Sequence, residues 1–159
     1  MRKVDLLFLE YSESHQDSTN KVIHWICVPM IFCSIVGLLA SIPSYPVQVL
    51  LGAANPYANW AGIALIIALS YYVTLSIPLS IGMMLFGVGC LFIVNVIVNL
   101  NIAPLWIISL GIFIIAWIGQ FYGHKVEGKK PTFFKDVQFL LIGPAWLMHF
   151  LFKRIGIPY

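Results

Sequence analysis

From Val22 to His124 the sequence contains no aspartate, glutamate, lysine or arginine. A water-soluble fold could hardly run through 103 residues without charging some of the surface it exposes, so this lack excludes an ordinary soluble domain. Cysteine is scarce as well. Cys27, Cys33 and Cys90 are odd in number and each sits inside an apolar run, which argues against a disulfide framework and against a thiolate metal site. They read as small packing residues. Also missing are a Gly-x-Ser-x-Gly elbow, a phosphate-cradling glycine-rich loop with lysine, a His-Glu-x-x-His pair and a dinucleotide fingerprint. Residues 1–20 lack the apolar run and small-residue site of a cleavable leader, so the first apolar segment is expected to stay as an anchor.

What remains is apolar: 60% of the 159 residues are hydrophobic and the mean hydropathy is +0.93. The charge-free block has room for four spans of about 20 residues. The expected class is therefore all-α, a polytopic membrane helical bundle with about four transmembrane helices plus a C-terminal re-entrant or interfacial helix, forming one integral membrane domain over 1–159. A first helix should start at Asp17 or Ser18, either of which can cap exposed amides, and run to about Ala40 with a kink at Pro29. Residues 41–59 hold Pro43, Pro46, Gly52, Asn55 and Pro56 and read as an external connection with a short interfacial piece at 47–51. Further spans are expected at 60–77, at 81–98 after a tight turn at Pro78 and Ser80, and at 103–122. Asn95 and Asn99, one turn apart, should face other helices, because an amide in lipid lacks partners. Residues 137–152 are apolar but short and interrupted by Gly143 and Pro144, which favours a re-entrant or interfacial helix over a fifth span.

The net charge of +3 matters through its placement. Arg2, Lys3 and Lys21 precede the first span, Lys125, Lys129, Lys130 and Lys135 follow the fourth, and Lys153 with Arg154 lies near the end. The positive-inside rule puts all three groups in the cytoplasm, as an even number of spans permits. Anionic head groups account for so few cations, and no nucleic-acid partner is expected. A bacterial inner membrane and an endoplasmic reticulum membrane both fit.

The histidines gather at the edges of the apolar block. His15 and His24 flank the start of the first span, His124 ends the fourth, and His149 lies late in the terminal segment. On the expected topology the first three share one membrane face, and His149 joins them if its segment is re-entrant. Neutral imidazole is the commonest ligand for transition metals, and Fe, Zn or Cu would accept such a cluster. His24 follows Asn20 by four residues and His124 follows Gln120 by four, while Glu127 comes one turn after His124. These are candidates for ligands or for groups that orient them. His15 and His24 converge only if the helix begins after His15. A single histidine at a membrane interface is ordinarily a head-group or capping contact, and the stretch from Glu127 to Pro131 also reads as a solvated loop against anionic lipid.

Two blocks carry a family resemblance. Tyr11, Ser14, His15, Gln16, Asn20, Lys21, His24, Trp25, Val28 and Pro29 form the first; Trp117, Gln120, Gly123, His124, Glu127, Lys129, Lys130 and Pro131, followed by Leu141 to Pro144, form the second. With the apolar spans between them, the chain resembles the membrane family that includes the yeast 2-hydroxy fatty acid dioxygenase of fatty acid alpha-oxidation. The resemblance implies an Fe(II)-dependent enzyme that uses O2 to shorten a 2-hydroxy fatty acid by one carbon. It implies His15, His24 and His124 as catalytic metal ligands, with His149 as a fourth. Glu127 would be a ligand, an acceptor for an imidazole N–H, or a loop charge. An all-histidine site differs from the two-histidine, one-carboxylate triad of many non-haem oxygenases. Lys21 and Lys125, beside the motifs, are candidates to pair with the substrate carboxylate, and the acyl chain would stay among the helices at about 0.8 kcal/mol per buried methylene. The expected partners are thus a 2-hydroxy fatty acid, O2 and membrane lipid, with both termini and the metal on the cytoplasmic side. Two other readings fit the residues: a zinc-dependent membrane hydrolase of lipid amides, and a non-enzymatic carrier or structural membrane protein.

Overall fold

The computed structural model describes residues 2–52, 55–128 and 139–159, and within them every regular element is a helix. They are α1 (Lys3–Ser12), α2 (Ser18–Ala40), α3 (Tyr45–Leu51), α4 (Trp60–Leu75), α5 (Ile77–Leu100), α6 (Leu105–Val126) and α7 (Ile142–Ile155). The helical membrane bundle expected from the sequence is what the structure shows: α2, α5 and α6 are long and apolar enough to cross a bilayer, and α4 is a shorter apolar helix. Large apolar side chains cover their outer faces, with Ile66, Leu85 and Ile118 more than 60% exposed. Such a surface is a liability in water and an asset in lipid.

Helix starts follow the capping residues. The Asp17 side chain accepts hydrogen bonds from the backbone of Thr19 (2.7 Å) and Asn20 (3.0 Å), so α2 begins after His15. Pro29 lies within α2. Asn59 caps α4 through Gly62 N–H. Ser76 alone separates α4 from α5, so the turn expected at Pro78 and Ser80 is already helix: Pro78 occupies the first turn of α5, where it costs no hydrogen bond. Gly143 and Pro144 likewise open α7 rather than interrupt it. At about 21 Å from 14 residues, α7 is too short to span a 30 Å core. Residues 137–138 of the expected terminal helix lie outside the described residues. The helix α1 was not anticipated. Its charges sit outward while Val4, Phe8 and Tyr11, spaced by four and three, pack on α7. Asn95 is half-buried, but Asn99 is exposed in the last turn of α5 instead of facing a helix, since a helix end lies within reach of the polar interface.

Helices α2 and α6 run antiparallel in close contact, and glycines let their backbones approach. A Cβ at Gly119 would stand 2.6 Å from Cys27 Sγ, at Gly123 2.4 Å from Asn20 Oδ1, and at Gly37 2.2 Å from Ser109 Oγ. The start of α2 thereby meets the end of α6. The short link at 101–104 turns α5 antiparallel to α6, and α4 must run back from the far end to meet the start of α5. Its two ends agree: Trp60 donates to Pro43 O beyond α2 (3.0 Å), whereas Tyr72 donates to Leu141 O before α7 (2.7 Å). Phe32, Val36, Ala61, Cys90 and Val94 fill one end of the bundle. Tyr11, Val28, Tyr72, Leu79, Trp146 and their neighbours fill the other, where α1 and α7 close over it.

Candidate metal centre

His15 hangs in the link between α1 and α2, His24 lies in the second turn of α2, and His124 lies in the last turn of α6. The antiparallel α2–α6 pair brings them together beneath α1 and α7. All three are buried, at 2%, 1% and 4% exposure. Their ring centroids are 4.2 Å (His15–His24), 5.1 Å (His24–His124) and 5.5 Å (His15–His124) apart.

Backbone carbonyls set two of the rings. His15 Nδ1 lies 2.6 Å from Tyr11 O, and His24 Nδ1 lies 2.9 Å from Asn20 O. A carbonyl only accepts, so each Nδ1 is the protonated nitrogen and each Nε2 carries the lone pair a metal needs. Tyr11 also stacks on His15 at 4.2 Å and 11°, and Trp146 stands 5.6 Å from the same ring.

A carboxylate clasp holds the link that carries His15. Glu127, just past α6, accepts from Gln16 N–H (2.8 Å), Asp17 N–H (2.9 Å) and Asn20 Nδ2 (3.0 Å), and Asn20 Nδ2 also donates to Ser14 O (3.2 Å). Burial alone would raise the Glu127 carboxyl, but these donors outweigh it and hold the group below the usual carboxylate range. The contacts of Glu127 thus add a role to the three open to it in the sequence, that of an acceptor toward backbone and amide. Asn20 is fully buried.

One donor atom from each of the three imidazoles lies within 4.8 Å of the others, whereas nitrogens bound about 2.1 Å from one ion stand about 3.0–3.6 Å apart, so the three rings would draw together round a metal. Three imidazole nitrogens, with no thiolate or carboxylate in the group among the described residues, suit iron, zinc or copper, so the residues fit a transition metal. His149 is elsewhere. Its Nδ1 meets Tyr159 Oη and its ring packs 5.2 Å from Phe8 and 5.1 Å from Phe150. Lys125 is exposed and Lys21 half-buried, and neither lines the cavity beside His24. Lys129, Lys130 and Pro131 lie outside the described residues.

The family described as 2-hydroxy-palmitic acid dioxygenase Mpo1-like matches residues 1–155. The chain belongs to this family. Comparisons with curated proteins and with solved structures found no match. The Mpo1-like match takes in both histidine blocks and every helix described, and the family's description points to a dioxygenase of 2-hydroxy fatty acids. Sequence reasoning missed Trp146, which closes over His15 from α7, and the anchoring carbonyl of Tyr11. The spacing of Val4, Phe8 and Tyr11 was the signal for the helix that delivers that carbonyl.

Proposed function

We propose that this protein is an Fe(II)-dependent dioxygenase that converts a 2-hydroxy fatty acid and O2 into the fatty acid one carbon shorter, CO2 and water. The observation that carries the reading is the buried trio His15, His24 and His124 in a chain of the Mpo1-like family. The reaction balances without a further reductant, because the hydroxy acid supplies all four electrons that reduce O2: R–CHOH–COOH + O2 gives R–COOH + CO2 + H2O. Iron, when bound by the three imidazoles, supplies a centre that brings O2 and the hydroxy acid together. The chain's own residues do the rest. Tyr11 O and Asn20 O keep Nδ1 protonated on two rings and so aim Nε2 inward. Burial under α1 and α7 keeps bulk water from the site.

The reading includes a topology. Helices α2, α4, α5 and α6 cross the membrane, both termini and the metal lie on the cytoplasmic side, and the basic residues at 2, 3, 21, 125, 153 and 154 face anionic lipid there.

Purified full-length protein prepared without chelators should carry one iron per chain and release CO2 from 2-hydroxyhexadecanoic acid only when O2 is present. His24→Ala and His124→Ala should each lose both metal and activity; retention of both by either variant would overturn the assignment. A three-imidazole donor set also holds zinc. CO2-free turnover of a lipid amide in anaerobic buffer would mark the zinc hydrolase instead.

A further inference from the structure

Beside His24, between α2, α6 and the start of α7, lies a cavity of about 30 Å3, room for about two water-sized groups. Tyr11, Val28, Ile31, Trp117 and Gly143 form most of its wall, and Gln120 is the one carboxamide among the described residues that line it. Gln120 stands one helical turn before His124 on the same face of α6. Its side chain is 7% exposed, and Oε1 is buried with no hydrogen-bond partner among the described residues. Amide oxygens are rarely left so, because water is given up without a donor in return. An acceptor of this kind, on a residue that lines a small cavity beside His24, calls for a ligand group that donates.

We propose that Gln120 recognises the substrate's 2-hydroxyl, with Oε1 accepting the hydrogen bond from its O–H. The inference rests on the dioxygenase reading and names the residue that separates a 2-hydroxy acid from an ordinary fatty acid. The chemistry is selective. A hydroxyl can donate to Oε1, whereas an ionised carboxylate only accepts and a 2-methylene has nothing to give. The cavity admits a hydroxyl and one neighbouring small group, so the alkyl chain stays outside it.

The test is equilibrium binding under anaerobic conditions to detergent-solubilised, metal-loaded full-length protein, with 2-hydroxyhexadecanoate and hexadecanoate as probes. The wild type should prefer the hydroxy acid, and Gln120→Met, similar in shape but without the acceptor, should cut that preference roughly tenfold with metal content unchanged. Gln120→Leu should do the same. Should neither variant fold, the wild type with 2-fluorohexadecanoate, which lacks the donor, should show a comparable loss against the hydroxy acid. If wild type converts the hydroxy acid but the variants keep its preference, or if they weaken both acids equally, Gln120 does not read the hydroxyl and the dioxygenase reading stands. If the wild type neither binds nor converts the hydroxy acid, the reading itself falls and this inference with it.

Discussion

With Gln16, Asp17 and Asn20 all donating to it, the Glu127 carboxylate has three of its roughly four acceptor sites filled and little capacity left for a metal. Glu127→Gln replaces one acceptor oxygen with a donor that faces another donor, and should cost about 1–2 kcal/mol at neutral pH. The carboxyl titrates lower in the folded state than its unfolded value near 4.3, so the clasp contributes above that value and is lost as pH falls through the folded one. The stability gap between wild type and Glu127→Gln should accordingly be largest near pH 7 and shrink below about pH 4 in chemical denaturation. A gap that does not change with pH would show that the charge is not what holds the link. The three clustered histidines were legible in the sequence because each sits where a charge-free run meets polar chain. His149 was not, for its surroundings depend on Phe8, and Phe8 belongs to a helix whose buried stripe is blurred by the exposed Leu6 and Leu9 on its other face.

At the scale of elements, the site depends on how closely α6 lies against α2. Gly123 is beside the histidines, and Gly37 is at the far end of the same interface. Gly123→Ala would push a methyl against Asn20, whose amide is held by both Glu127 and Ser14, so neither backbone nor side chain can easily give way. Overpacking of this sort costs roughly 1–3 kcal/mol. Gly37→Ala meets Ser109 Oγ and should destabilise to a similar degree. The two should differ in metal: Gly123→Ala loses occupancy, while Gly37→Ala, once folded, keeps it. Equal metal content in both, measured per folded protein, would mean that the close approach at Gly123 is not needed to assemble the trio. Sequence located α2 well because Asp17 caps it and a stretch broken by Pro43 and Pro46 follows it. It placed the start of α5 four residues late because Pro78 was read as a turn, although proline is equally at home in the first turn of a helix.

For the whole molecule, the meeting of His24 with His124 constrains the path of the chain. The start of α2 and the end of α6 can lie together only after an even number of passes along the bundle, and α2, α5 and α6 are three. The fourth pass is α4, whose 16 residues give about 24 Å, less than the hydrocarbon core of about 30 Å. Thinning of the bilayer at that helix, or the interfacial residues Asn59, Trp60 and Ser76 at its ends, would make up the difference. Gln48→Cys in α3 and Lys125→Cys at the end of α6 are both exposed positions separated by α4, α5 and α6. In a background with Cys27, Cys33 and Cys90 replaced by Ala or Ser, a membrane-impermeant thiol reagent should label the two from opposite sides of sealed vesicles, with Lys125→Cys on the cytoplasmic side. Labelling of both from the same side would mean that α4 does not cross, which would leave His24 and His124 on opposite faces and overturn the four-span topology that joins them.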